Sequence, residues 1–248
     1  MLITDCITMK GDTMDRTFFA RVKSEETALC FFDLSMIMAN FPVPVAKVQE
    51  TLPSNKLKPV QLMPGTAVVS LAAMEYRHID RLTPFNEFGI AVPVLYGMTD
   101  NVPGLAGSYV YYMPATTQEA CNGGIKIYGF SKFVAEISFE DTGEMRCCRV
   151  RAEGKDIITL EAKKLVTQPQ SWDTYTYTVK DGQFLRTYIP LQGQSGTTDV
   201  KGSASYILGD HPIAEELRAL GMDKTSVWHQ YAPQLQAILY LPGERLPL

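Results

Sequence analysis

Residues 67–77 read AVVSLAAMEYR and residues 89–96 read GIAVPVLY. Both runs are rich in β-branched and aromatic residues, and such runs between turn-forming residues are typical of β-strands. Similar runs recur along the rest of the chain, at residues 108–113, 125–139, 145–151, 156–161, 174–179 and 183–190. The sequence therefore predicts a strand-rich protein, in which the stretch from Met145 to Pro190 forms successive antiparallel hairpins.

Few helices are predicted. The segment Pro44–Leu52 has apolar residues at helical spacing and is followed by a proline. The segment Asp210–Gly221 is the better case, because Pro212 suits the first turn of a helix and Gly221 suits its C-terminal cap. The segment Gly193–Gly202, with the sequence GQSGTTDVKG, is predicted to be a polar loop.

The composition is that of a globular protein. The 248 residues are 46% hydrophobic and 20% charged, which excludes a disordered chain, a coiled coil and a collagen-like fibre. No shift in composition marks a boundary, so residues 1–248 are expected to form a single domain. The 23 basic and 27 acidic residues give a net charge of −4 without clusters of one sign. A nucleic acid is therefore not expected as a partner.

Cysteine spacing and hydropathy bear on the cellular location. The five cysteines include no CxxC pair, so we expect neither a disulfide framework nor a zinc site, but reduced thiols in the cytoplasm. The first ten residues lack a basic region followed by an apolar run, and no cleaved leader is expected. The most apolar stretch, Ala28–Ala46, contains Asp33, Asn40 and two prolines, which argues against a membrane span.

Several common catalytic signatures are absent from the sequence. There is no glycine-rich dinucleotide fingerprint, no phosphate-binding loop and no closely spaced pair of histidines, so no cofactor or metal is predicted. The string Gly193-Gln-Ser-Gly196 is followed by Thr197, where a nucleophile elbow requires glycine. A serine hydrolase is therefore not expected.

Two ordered blocks carry a resemblance to a known family. The first is Phe85-Asn-Glu-Phe-Gly89 followed by Ala91-Val-Pro-Val94; the second is Gly107-Ser-Tyr109, Met113, Ala120, Gly124 and Tyr128-Gly-Phe-Ser-Lys-Phe133. Together they resemble the glutamate and lysine blocks of the acetoacetate decarboxylase family. The similarity runs from about residue 40 to the end of the chain and includes a similar Asp210-His211 dipeptide.

The resemblance, with the strand pattern, implies a β-rich α+β fold. Antiparallel sheets are expected to curve into a barrel-like or cone-like core, with a few helices outside. The resemblance further implies a cofactor-free carbon–carbon lyase, a carboxy-lyase, that decarboxylates a β-keto acid and assembles as a homo-oligomer. In that family a lysine amine forms a Schiff base with the substrate, and the protonated imine accepts electrons as carbon dioxide leaves.

Lys132 matches the lysine that forms the Schiff base. An ordinary lysine has a pKa of about 10.4, so that only ~1 in 2,000 is neutral at pH 7. Lys132 lies within an apolar and aromatic run, and burial there would lower its pKa and make the amine nucleophilic. The alternative is a solvated lysine on an edge strand.

Glu87 matches the active-site glutamate of the family. A carboxylate beside the imine can transfer a proton at the α-carbon or orient the imine. The alternative is a surface glutamate in a turn after Pro84.

Further residues are candidates for binding the substrate. By resemblance, pocket or core positions are assigned to Tyr109, Met113 and Tyr128. In a regular strand Lys126 would lie on the same face as Lys132 and supply a second positive charge. Arg77 and Arg81 precede the Glu87 block and are candidates for binding the substrate carboxylate.

The chain also departs from the family pattern. Phe133 replaces a second lysine, Ser131 replaces a proline, and Ile125-Lys126 replaces an Arg-Glu pair. The register of the family's N-terminal arginine falls near Leu34. Fewer cations weaken the case for a small carboxylate such as acetoacetate. Two alternatives stay open: aldol or dehydration chemistry through the same imine, and a non-catalytic ligand-binding β-barrel.

Overall fold

The computed structural model describes residues 16–22, 24, 28–99 and 101–248. The first ten residues, for which the leader prediction was made, lie outside the described residues. The strands are β1 (Ala28–Pro44), β2 (Leu57–Pro59), β3 (Gln61–Met63), β4 (Thr66–Ile79), β5 (Phe85–Tyr96), β6 (Leu105–Tyr112), β7 (Glu136–Thr142), β8 (Met145–Ala152), β9 (Lys155–Lys163), β10 (Gln168–Lys180), β11 (Gln183–Thr198), β12 (Ala204–Leu208), β13 (Trp228–Tyr240) and β14 (Glu244–Pro247). The α-helices are α1 (Arg16–Phe19), α2 (Val45–Thr51), α3 (Gln118–Gly123) and α4 (Pro212–Leu220), and a π-helical turn, Gly124–Tyr128, follows α3 directly.

A large curved sheet dominates the fold. Its strands pair in the order β2-β5-β6-β10-β11-β13-β1-β4-β3, and β4 also pairs with β5. Seven strands, from β5 through β6, β10, β11, β13 and β1 to β4, therefore form a series of pairings that returns to its first strand. All these pairings are antiparallel except β6 with β10, which is parallel and joins only two residue pairs. The prediction of a strand-rich fold built on a curved sheet is confirmed.

The strands β1, β4 and β5 have two different faces. Alternate residues such as Phe41, Leu71 and Phe88 are fully buried, and they pack with the smaller sheet β12-β9-β8-β7 and with α4. Burying each such side chain stabilises the fold by about 1.5–3 kcal/mol. The intervening residues point to the inside of the large sheet, because successive side chains of a strand alternate between its faces.

Both predicted helices are present. Pro212 lies in the first turn of α4, and the Nδ1 atom of His211 accepts a hydrogen bond from the backbone N–H of Ile213. Gly221 adopts the left-handed conformation, with a φ of 70°, and its N–H caps the carbonyl of Arg218. No helix among residues 16–22, 28–99 and 101–248 is long and apolar enough to cross a membrane.

The prediction of one strand over residues 125–139 is wrong. Its first part belongs to the π-helical turn, which ends at Gly129 in the left-handed conformation, with a φ of 69°. Residues 130–135 lie outside the named strands. Their backbone carbonyls at Ser131 and Phe133 accept hydrogen bonds from Met113 and Ala115. A run of apolar residues is compatible with a helical turn followed by irregular chain as well as with a strand, because each of these can bury apolar side chains.

The region Gly193–Gly202 also differs from the prediction, because residues 193–198 complete β11 rather than forming a loop. A Cβ atom at Gly193 would lie 2.3 Å from the carbonyl oxygen of Gln234, and one at Gly196 would lie 2.3 Å from that of Val166. The glycines therefore allow close backbone approach. The hairpin prediction holds for β8–β9 and β10–β11, whereas β9 and β10 belong to different sheets.

Candidate active site

Lys132 and Glu87 meet inside the large sheet. Residues 113–115 lie between them, because Ala115 forms a bridge to Glu87 of β5 on one side and to Val134 on the other. The Lys132 amine donates a hydrogen bond to Oε1 of Glu87. The two side chains are only 4% and 8% exposed. The structure thus brings together the two residues that the sequence proposed for catalysis.

Tyr76 holds the second oxygen of the carboxylate. Its hydroxyl lies 3.2 Å from Oε2 of Glu87, to which it donates a hydrogen bond. Burial raises the pKa of the Tyr76 phenol, so the group stays a neutral donor. The sequence did not indicate this residue. Its place follows only from the pairing of Tyr76 on β4 with Phe85 on β5.

The electrostatic state of Lys132 is set mainly by burial. Loss of hydration lowers the pKa of its amine to about 7. Burial thus favours the neutral form of the amine. The Phe133 side chain, at the position of the family's second lysine, packs against the hydrophobic core. Desolvation, rather than a cation at position 133, therefore lowers the pKa of Lys132.

Gly124 shapes the space that the lysine stem occupies. A Cβ atom built on Gly124 would lie 2.4 Å from both Cδ and Cε of Lys132. The ring of Phe130 lies 5.9 Å from the Lys132 amine. The π-helical turn therefore supplies a side-chain-free backbone against which the lysine packs. Gly124 belongs to the block that carries the resemblance, but this contact joins residues that are not neighbours in sequence.

Lys132 and Glu87 face a cavity of about 1300 Å³. Three of the predicted substrate-binding residues also line it, namely Met113, Tyr128 and Arg81. Burial raises the pKa of Tyr128 to about 12, and the nearby Arg81 charge partly opposes this shift. Arg81 donates to the backbone carbonyl of Ala28 and pairs with Asp80 at 2.8 Å.

The other three predicted binding residues lie away from the cavity wall. The guanidinium of Arg77 pairs with Asp33 at 2.6 Å. Tyr109 packs edge-on against Tyr111. Lys126 is exposed on the π-helical turn. The expectation that Lys126 shares a face with Lys132 fails, because the two residues do not lie on one regular strand. Within the described parts of the chain, no group of three or more potential metal ligands is found.

The sequence matches a known protein family. The sequence profile of the family described as Acetoacetate decarboxylase (ADC) matches residues 17–231. No curated protein matches the sequence.

Solved structures share the fold. The acetoacetate decarboxylase of Legionella pneumophila has a TM-score of 0.64 and 14% sequence identity, and the match covers 96% of this chain and 98% of that one. The enduracididine biosynthesis enzyme MppR has a TM-score of 0.62 and 13% identity, over 89% of this chain and 88% of that one. An acetoacetate decarboxylase-like enzyme from Sphingomonas wittichii RW1 has a TM-score of 0.56 and 12% identity, over 90% and 94% of the two chains.

Because the family profile covers most of the sequence and the curved sheet is the one found in these enzymes, the chain belongs to the acetoacetate decarboxylase family.

Proposed function

We propose that this protein is a carboxy-lyase that decarboxylates a β-keto acid through a Schiff base on Lys132. The observation that carries the proposal is the contact of the buried Lys132 amine with Glu87 at the wall of a large cavity. A lysine in this setting is a nucleophile at neutral pH, since burial lowers its pKa to about 7. A lysine with only a structural role gains nothing from such a position.

The reaction follows from the chemistry of an amine and a β-keto acid. The neutral Lys132 amine attacks the ketone carbon and a C–N bond forms; loss of water with uptake of one proton from the solvent then gives a protonated imine. The bond between the α-carbon and the carboxylate then breaks, and its electron pair moves towards the imine nitrogen. Carbon dioxide leaves, and an enamine remains. The enamine takes one proton on its α-carbon, and water then releases the ketone and restores the amine.

In this proposal Glu87 carries out the proton transfers of these steps. Its Oε1 atom contacts the Lys132 amine, so the carboxylate lies beside the nitrogen that becomes the imine. A carboxylate there stabilises the protonated imine, and once it has taken up a proton it can deliver that proton to the α-carbon. Tyr76 acts through Glu87, as a positioning residue that fixes the second carboxylate oxygen. Arg81, at the cavity wall, is the candidate for binding the substrate carboxylate.

Borohydride trapping tests the proposal. The protein is incubated separately with acetoacetate and with pyruvate, reduced, digested and mapped by mass spectrometry, while carbon dioxide release is followed in parallel. We expect an adduct on Lys132 and turnover of a β-keto acid. Lys132→Arg should abolish both, because a guanidinium does not form the imine. Lys126→Arg is the matched control, since that lysine is exposed and away from the cavity.

The outcomes separate the alternatives. An adduct on Lys132 without carbon dioxide release from any β-keto acid would replace decarboxylation by aldol or dehydration chemistry. Activity retained in Lys132→Arg would remove the lysine from the mechanism. Folded protein in which no ketone labels Lys132 would leave a ligand-binding protein.

A further inference from the structure

The size and lining of the cavity bear on which keto acid the protein accepts. We propose that the substrate is a free β-keto acid with a long or bulky apolar group, and that this group lies along the inner face of β4 and β5. The inference rests on the proposed function, because the ketone has to reach Lys132. It goes beyond that function in naming the substrate class.

The cavity is too large for a small keto acid. Its volume is about 1300 Å³, whereas pockets for ligands of drug size measure ~300–1,000 Å³. Acetoacetate or pyruvate would leave most of this space unfilled. The lining is largely aliphatic and aromatic, and an apolar cavity holds water poorly. An apolar substituent on the substrate fills the space better than water does.

The register of the strands shows where that substituent lies. Glu87 on β5 pairs with Met74 on β4. The next two pairs whose side chains face the inside of the sheet are Gly89 with Ala72 and Ala91 with Ser70. These residues all line the cavity, as does Pro93 further along β5. Pro93 is six positions along the strand from Glu87, which corresponds to a distance of ~20 Å.

Small side chains keep this path open. Gly89, Ala72 and Ala91 leave room along the wall where leucine or phenylalanine would fill it. At the far end the hydroxyl of Ser70 has a partner within the protein, because it donates to the side-chain carbonyl of Asn40 at 2.7 Å. We refer to Ala72, Gly89 and Ala91 as the small-residue path.

Charge favours a free acid over a carrier-bound one. Among the described residues of the lining, the cations are Arg81 and Lys132, and the anions are Glu87, Glu119 and Asp173. The lining thus has no excess of positive charge, which disfavours the several phosphates of a coenzyme A thioester. Arg81 follows β4, on the other side of the Tyr76–Phe85 pair from the small-residue path. The substrate is thus oriented with its carboxylate towards Arg81 and its apolar group towards Pro93.

A homologous series tests the inference. The wild-type protein is assayed for carbon dioxide release with 3-oxo acids from acetoacetate to 3-oxododecanoate, and in parallel for borohydride trapping with the corresponding methyl ketones. We expect kcat/KM and trapping efficiency to rise about two- to fourfold for each added methylene until the path is full, as for burial of a methylene group.

Two variants and a control locate the apolar group. Ala91→Phe should shorten the preferred chain length and reverse the rise for long substrates. Gly89→Ala should reduce it mildly, because its added Cβ meets only ordinary contacts at 3.7–3.8 Å and the fold is kept. Ala106→Phe, at an exposed position of β6, should leave the chain-length profile unchanged.

Failure of the inference and failure of the proposed function look different. Trapping of small ketones on Lys132 with a flat or falling chain-length profile would overturn the apolar substrate class and keep the Schiff-base enzyme. Absence of trapping along the whole series would overturn the proposed function and this inference with it.

Discussion

Replacing Gly124 by alanine is expected to disable Lys132 while the protein stays folded. The added Cβ atom would lie 2.4 Å from Cδ and Cε of Lys132, and ordinary contact begins at 3.4 Å. The lysine stem must therefore move by about 1 Å. Because a displacement of about 1 Å in a reacting group can cost ~10²-fold in rate, we expect imine formation to slow by about that factor.

We expect the Gly124→Ala substitution to leave the stability of the fold unchanged. Gly124 has φ and ψ of −61° and −43°, which alanine adopts readily. In a helical conformation alanine is more stable than glycine by ~0.5–1 kcal/mol, since it loses less backbone entropy on folding. Thermal unfolding should therefore show an unchanged or slightly raised melting temperature.

The neighbouring glycine offers a matched control. Gly123 has nearly the same backbone conformation, with φ and ψ of −61° and −47°, but a Cβ atom there meets nothing within 4 Å. The assay is the rate of borohydride trapping at Lys132, measured by mass spectrometry with a ketone that labels the parent protein. If Gly124→Ala is labelled as fast as Gly123→Ala, the packing of the lysine stem does not control its reactivity, and this reasoning fails.

Three further predictions concern titration and hydrogen bonding. Trapping at Lys132 should speed up as the pH rises and level off above about 7, because burial lowers the pKa of the amine to about 7 and the neutral form reacts; a midpoint of ~10, the ordinary lysine value, would contradict it. Glu87→Gln should lower turnover by ~10²-fold, the usual effect of removing an acid–base group. Tyr76→Phe should lower it by ~2- to 10-fold, the usual effect of losing one hydrogen bond. If the parent and both variants turn over substrate equally fast, the two residues have only a structural role. His229 is fully buried between the Ser203 hydroxyl and the Lys163 carbonyl, at 2.6 and 3.0 Å, and burial lowers its pKa. The unfolded chain therefore takes up the proton first as the pH falls below ~6.5, and the free energy of unfolding should decrease there, with a smaller slope in His229→Gln measured by urea titration.

Local patterns predicted the strands and helices well where the chain follows one regular element. Runs of β-branched and aromatic residues identified β4 and β5, and the pair Pro212 and Gly221 identified α4. The resemblance to the family predicted Lys132 and Glu87 as site residues, although their contact is not evident from the sequence. Homo-oligomerisation and a cytoplasmic location stay predictions.

The missed features depend on contacts between distant parts of the chain. The segment that carries Lys132 pairs with residues 113–115 rather than with a neighbouring hairpin strand, and no local pattern encodes that choice. The hydrogen bond of Tyr76 depends on the register of β4 against β5. The cavity depends on inward side chains contributed by several strands, which one sequence does not sort into wall and core.

The two faces of β4 and β5 have a consequence for how the sequence can vary in evolution. The residues that hold the sheets together and the residues that touch the cavity alternate along the same strands, so a codon change alters one set without the other. We expect variation at Ala72 or Ala91, which line the cavity, to change the compound that fits, while the buried Leu71 and Phe88 beside them continue to stabilise the fold. A lineage can therefore explore new metabolites by single substitutions and keep a foldable protein at each generation.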